Sequence, residues 1–305
     1  MENHIEAVKE KRSAALSSVA AAIGLTGMKL VVGLLTGSLG ILSEAAHSGL
    51  DLVAALVTFL AVRVSDKPAD DNHHYGHGKV ENISALLETL LLLATCVWII
   101  YEAIQRLFYR HVQVEASIWA FLVMGISIVV DLTRSRILKQ AAVKHKSQAL
   151  EADALHFSTD IWSSSVVIVG LAGVKLAEWF PGLQFLQSAD AVAALGVSMI
   201  VIYVSLQLGK RSIDGLLDTA PQGLVEQITQ AVEMVRGVED IHHIRVLPSG
   251  ANVFIDAHVL VKGAISLEET HTLMDEVENV IHAIVPGADV TIHPEPLETD
   301  RPKTG

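Results

Sequence analysis

Six stretches of the chain, at about 14–36, 40–64, 82–105, 116–138, 154–178 and 189–209, are mostly apolar and long. A helix needs roughly 20 such residues to cross a bilayer. Lipid cannot satisfy an open backbone, so segments this long and unbroken read as spanning helices. Composition agrees. The 305 residues are 51% hydrophobic and only 18% charged, with mean hydropathy +0.44, whereas soluble domains carry roughly 25% charge. The first stretch is longer than a signal-peptide core and shows no small-residue cleavage site, so it reads as a retained span. "TGSLG" after the first stretch and "WFPGLQFLQS" after the fifth supply turn residues.

Orientation follows from the Lys and Arg residues of short loops. Lys9, Lys11, Arg12, Arg63, Lys67, Lys79, Arg134, Arg136, Lys139, Lys144, Lys146, Lys210 and Arg211 fall on one side. Arg106, Arg110 and a borderline Lys175 fall on the other. An even number of spans puts both termini on the rich, cytoplasmic side.

From about Ile213 the pattern changes. "LVEQITQAVEMVRG" places Leu224, Ile228, Val232 and Val235 at helical spacing. "IHHIRVLPSG" and "NVFIDAHVLVKG" read as two strands joined by a Pro-Ser-Gly turn, with Ile255, Ala257, Val259 and Val261 on one face. An amphipathic helix, "SLEETHTLMDEVENVIHAIV", and a short strand, "ADVTIHPEP", follow. The expected organisation is a six-helix transmembrane domain over 1–212, a small α+β domain of α-β-β-α-β order over 213–298, and a disordered tail over 299–305.

The net charge of −12 argues against a nucleic-acid partner, since such proteins present a basic face. The single cysteine, Cys96, can form neither an intrachain disulfide nor a thiolate cluster. Metal chemistry would therefore rest on the 14 histidines and the carboxylates. No G-x-x-x-x-G-K-[ST] motif is present, which leaves an ion gradient as the energy source for any pump.

Ionisable residues inside spans are costly and usually functional. The second span contains "SEAAHSGLDLV" and the fifth "EADALHFSTDIWSS". His47 and Asp51 lie four apart, as do His156 and Asp160, so each pair shares a helix face. One such pair alone could be a packing hydrogen bond. Two in separate spans, if the helices touch, gather four N/O ligands of the kind that suits tetrahedral Zn²⁺. Glu44, Glu88 and Asp131 are lone acids, each as readily a structural partner as a ligand, and Lys29 could snorkel or pair with one of them. Between the second and third spans, "KPADDNHHYGHGKVE" crowds Asp70, Asp71, His73, His74 and His77 among turn-forming residues.

The paired H-x-x-x-D motifs, the loop "D-x-N-H-x-x-G-H-G-K" and the tail histidines near "IHPEP" resemble the cation diffusion facilitators, a family of zinc and divalent-metal exporters, over nearly the whole chain. The resemblance implies a mid-membrane transport site of His47, Asp51, His156 and Asp160. Some bacterial members have Asp at the position of His47, and a second imidazole here makes the site less welcoming to oxygen-preferring cations. It implies a loop metal site of Asp70, His73 and His77, with His74 a bystander. It implies a cytoplasmic-domain metal site of His242, His258, His271 and His293, where Glu295 stands in place of a bridging Asp. His243 and His282 match no ligand and read as surface residues. Lys79 and Asp218 fall where the family has a charge interlock, although Asp214 is nearby. The family's cytoplasmic domains are copper-chaperone-like and dimerise, so a homodimer is expected. No histidine-rich loop separates spans four and five, which points to a bacterial-type member in the cytoplasmic (inner) membrane, surrounded by lipid.

The expected activity is Zn²⁺/H⁺ antiport by alternating access, with protons as the counter-ion. Histidine and carboxylate bind metal only when deprotonated, so metal and protons compete for one site. Cd²⁺, Fe²⁺ or Mn²⁺ export, or a non-transporting metal sensor or assembly protein, are the alternatives. An intramembrane metalloprotease fits poorly, because H-E-x-x-H is missing and no nucleophile constellation stands out.

Overall fold

The computed structural model describes residues 2–108, 118–179, 189–263 and 265–297. Arg110, the Pro181-Gly182 turn and the tail expected from residue 299 lie outside them. The chain divides into two units, Met1–Pro68 with Val80–Ile213, and Ala69–Lys79 with Asp214–Gly305.

The first unit is built of α1 (Glu2–Thr36), α2 (Leu39–Ser65), α3 (Val80–Phe108), α4 (Ile118–His145), α5 (Gln148–Trp179) and α6 (Ala189–Leu216). Among the described residues, Ile5–Thr36, Ile41–Ser65 and Val80–Gln105 are long and apolar enough by length and composition to cross a membrane. The "TGSLG" turn uses Gly37 at φ +64°, and the Ser38 hydroxyl accepts from the Ile41 amide to cap α2. A side-chain oxygen at that position satisfies one of the orphan donors of the first turn.

Packing in this unit inverts the soluble pattern. Ala14, Ala15, Val62, Leu138, Ala142, Ala149, Leu150, Ala154 and Phe157 form the core between α1, α2, α4 and α5. A second small cluster of Ala85, Ala152 and Leu208 joins α3, α5 and α6. Leu50, Trp98, Val129 and Met199 are among the large side chains left on the outside. Small residues inside let membrane helices approach closely, and large apolar ones outside match lipid.

Polar groups are buried between the helices in linked sets. Arg134 of α4 donates to Asp131 at 3.2 Å and to the Ser18 hydroxyl at 3.0 Å. Ser18 in turn donates to Asp153 at 3.0 Å, and Arg134 stacks 3.4 Å over the Phe157 ring. Lys29 pairs with Glu44 at 3.2 Å and donates to Ser48 at 2.8 Å. Lys11 pairs with Asp66 and Glu81, and Glu88, fully buried, accepts from Thr58.

The second unit contains α7 (Leu224–Val232), β1 (Val238–Ser249), β2 (Asn252–Val261), α8 (Leu267–Ile284) and β3 (Asp289–Pro296). The sheet runs β1-β2-β3, with β1 antiparallel and β3 parallel to the central β2. Ile255, Ala257, Val259 and Val261 of β2 are buried with Ile228 and Val232 of α7 and Met274, Val277 and Ile281 of α8. Ser266 and Glu269 form a capping box on α8. The β1–β2 turn is not the expected Pro-Ser-Gly: Pro248 and Ser249 still pair with Val253 and Asn252, and the chain reverses at Gly250-Ala251, with Gly250 at φ +61°. Proline is tolerated there because β1 is an edge strand, and β3, which carries Pro294 and Pro296, is the other edge.

Candidate metal centres

α2 and α5 bring His47, Asp51, His156 and Asp160 together. Helical periodicity puts each pair on one face. His156 Nε2 lies 3.1 Å from Asp51 Oδ1 and 3.7 Å from Asp160 Oδ2. His47 Nε2 lies 3.9 Å from Asp51 Oδ1 and 3.8 Å from Asp160 Oδ1. The two carboxylates therefore sit between the two imidazoles. The site is not evenly open: the His47 side chain is 38% exposed, that of His156 only 6%. Phe157 meets the His156 ring edge-on at 5.4 Å. The helices are pinned nearby, as Thr26 donates to the Ser48 carbonyl at 2.9 Å and Ser135 to that of Ala154 at 2.9 Å.

The loop Ala69–Lys79 belongs to the second unit. Asp70 Oδ1 accepts from the backbone amides of Asn72 at 3.0 Å and His73 at 2.7 Å. It also meets His73 Nδ1 at 3.0 Å, while Oδ2 lies 3.4 Å from His77 Nε2. The His73 bond, then the Asn72 amide, holds the Asp70 carboxyl below its ordinary value. His74 turns away, its Nε2 3.1 Å from the Asp71 carbonyl. Tyr75 packs edge-on against Phe254 at 4.9 Å, and its carbonyl accepts from Ser249 at 3.2 Å. Gly78 lies against Ser249-Gly250 so closely that a Cβ there would run into the Ser249 carbonyl. Lys79 forms an ion pair with Asp218.

In the sheet, His242 is paired in register with His258, and His258 with His293. Cross-strand partners point to the same face, so three imidazoles form one row. Their ring centroids lie 5.7 Å and 5.0 Å apart. The row is on the face of β2 opposite the buried Ile255, Ala257, Val259 and Val261. Glu295 Oε1 meets His258 Nδ1 at 2.7 Å and its Oε2 meets His242 Nε2 at 3.3 Å. The His258 bond chiefly holds the Glu295 carboxyl below its ordinary value. His242 Nδ1 is 3.0 Å from Asp240, a carboxylate–imidazole contact of the kind that fixes the tautomer of metal ligands.

His271 is not brought to this row. It rides on α8, on the other side of the sheet, with its side chain 80% exposed and 3.7 Å from Asp275. His282 lies 3.0 Å from the Ala288 carbonyl, at the end of α8. His243 is exposed, as the sequence suggests, yet its ring meets those of both His242 and His258 edge-on. No periodicity signals that, because neighbours on a regular strand face opposite ways. The Ser18–Arg134–Asp153 set is likewise silent in sequence, since its members come from three helices.

A family model for the cation efflux transmembrane domain matches residues 15–217, across all six long helices, and one for the cytoplasmic domain of cation efflux proteins matches residues 220–297. The chain belongs to the cation diffusion facilitator, or cation efflux, family. It is similar to the cation-efflux pump FieF of Klebsiella pneumoniae, 31% identical over 284 residues covering 93% of this chain and 92% of that protein. The FieF of Serratia proteamaculans is 31% identical over 291 residues with the same coverage. Among solved structures, the Zn form of CzrB is 30% identical with TM-score 0.24, covering 27% of this chain and 94% of that one. The nickel form of the MamM CTD is 19% identical with TM-score 0.25, covering 26% and 100%. Membership makes this chain a multi-pass membrane transporter of divalent cations, with a cytoplasmic C-terminal domain, and not an enzyme.

Proposed function

We propose that the chain exports Zn²⁺ from the bacterial cytoplasm across the inner membrane in exchange for protons. The observation that carries this reading is the convergence of His47, Asp51, His156 and Asp160, with His156 Nε2 3.1 Å from Asp51. Two imidazoles and two carboxylates suit tetrahedral zinc, whose charge two ionised carboxylates neutralise. Protonation of the same groups expels the metal, which couples release to an acidic exterior. The helices then expose the site alternately to the two sides. The Lys and Arg excess of one set of loops supports cytoplasmic termini.

Within this reading, 1–212 is the transport domain, 213–298 the regulatory one and 299–305 a tail. Asp70, His73 and His77 form an accessory metal site, and the Lys79–Asp218 pair ties the loop to the segment that follows α6 within the second unit. His242, His258, His293 and Glu295 form the cytoplasmic site. The match to the cytoplasmic-domain family model supports a homodimer, in which His271, remote from that row within one chain, would act across the interface.

The deciding experiment is flux. Purified protein in liposomes should move Zn²⁺ against its gradient when a pH gradient of the right sign is imposed. Metal binding without flux would favour a sensor. Faster movement of Fe²⁺, Cd²⁺ or Mn²⁺ than of Zn²⁺ would reassign the substrate.

A further inference from the structure

We propose that His243 is a metal ligand, and that with His242 and His258 it makes a three-imidazole Zn²⁺ site held within a single protomer. The inference rests on the cytoplasmic-site reading above and extends it to a residue that the sequence pattern leaves on the surface.

The argument begins with the strand. Consecutive residues of a regular strand point to opposite faces, so His243 should face away from His242. β1 is not regular there. His242 pairs with His258 and Arg245 with Asp256, so three steps on β1 oppose two on β2, and one residue is extra. Such a bulge re-aims a side chain, and bulges favour the surroundings of functional sites. His243 absorbs the irregularity at φ +51°, a left-handed conformation that is costly for a residue with a Cβ.

The result is three rings around one space. The His243 centroid is 5.0 Å from that of His242 and 5.1 Å from that of His258, with the His243 and His258 planes at 90°. One ring nitrogen from each of the three lies within 4.8 Å of the others. A zinc bound at 2.0–2.1 Å to each would set these nitrogens about 3.4 Å apart, a closure of the size that side-chain rotation supplies. Asp240, 3.0 Å from His242 Nδ1, supports the ring from behind in the way carboxylates support zinc-bound imidazoles. A site with three neutral nitrogens from one chain needs no second copy to hold its metal.

The test uses the full-length chain in detergent with Asp51→Ala and Asp70→Ala, which removes the transport and loop sites, and Zn²⁺ alone as the probe. Chelator competition gives the affinity of the cytoplasmic site, and zinc-edge X-ray absorption gives the number of imidazoles on the metal. His243→Asn keeps a residue tolerant of left-handed backbone, and His243→Gly relieves the backbone altogether. Both should weaken the site by at least about ten-fold and remove one imidazole, while His282→Asn changes neither. Unchanged affinity and imidazole count in both His243 variants would overturn the inference. If His258→Ala abolishes binding while the His243 variants do not, only this inference falls. If the parent holds no zinc that His258→Ala removes, the cytoplasmic-site reading falls with it.

Discussion

In α2 and α5, the candidate ligands come in pairs one helical turn apart, and three of the four side chains are at most 14% exposed. In the sheet, the three histidines come one per strand in a single register row with Glu295 two residues along β3, and His242, His258, His293 and Glu295 are between 33% and 66% exposed. Burial strengthens every charge interaction and makes an unpaired group expensive. If the helical set is the transport site proposed above, its buried members favour being filled, by metal or by protons. The sheet site stands in water, where empty imidazoles cost little. Under the function proposed above, the buried set suits obligatory exchange, and the exposed row suits reversible occupancy that follows the free cation concentration.

The largest effect should separate the two sets directly. Asp51→Ala or Asp160→Ala should cut proteoliposome Zn²⁺ flux by more than about 100-fold, beyond the 10–100-fold typical of second-shell changes. His258→Ala should leave flux at saturating zinc within a few-fold of the parent. Equal losses would erase the distinction.

Removing Arg134 tests how far the helical site depends on its buried surroundings. Its side chain is 4% exposed, and Arg134→Ala leaves Asp131 without its cation. Breaking a buried pair costs about 3–5 kcal/mol. A large fall in melting temperature in detergent is expected, and substitution of an exposed cation such as Lys262 should produce almost none.

A more selective change is His47→Asp, which replaces one imidazole by oxygen. Oxygen ligands favour harder cations, so Mn²⁺ or Fe²⁺ flux relative to Zn²⁺ should rise by about ten-fold. An unaltered ratio would mean that the other three ligands set selectivity.

The smallest expected effect belongs to the exposed row. The Glu295 carboxyl is held below its ordinary value of 4.5, first by His258. The folded state thus favours the ionised form. This contribution is complete above pH 4.5 and is lost as pH falls through the depressed value. Melting of Glu295→Gln should vary less with pH than that of the parent below about pH 4.5, and should match it in slope above.

Much of this architecture was legible. Apolar runs long enough to span a bilayer give helices with no competing solution, and the alternation of Ile255, Ala257, Val259 and Val261 gave the buried face of β2. The H-x-x-x-D spacing showed which side chains share a helix face. It could not show that α2 and α5 bring the two faces within 3.1 to 3.9 Å, since tertiary contact has no period. The β1–β2 reversal was misplaced because Pro248 looks like a turn residue until β1 is known to be an edge. His243 escaped because one extra residue in a strand changes which way a side chain faces without altering composition. The docking of Tyr75 and Gly78 onto Phe254 and Ser249-Gly250 was hidden for a related reason: those residues lie more than 170 positions apart in the chain.

One further consequence concerns the alanines. Ala14, Ala15, Ala22, Ala54, Ala55, Ala142, Ala149, Ala152 and Ala154 are all buried between helices of the first unit. Long side chains would interlock as ridges and grooves, and sliding one helix past another would mean climbing out of each notch. Methyl groups present a shallow relief. Under the alternating-access reading proposed above, such a surface would work as a bearing: it would keep the helices in contact while they shift, with a low barrier between neighbouring positions. The hydrogen bonds to the Ser48 and Ala154 carbonyls and those of Arg134 would then act as detents that define where the bearing comes to rest.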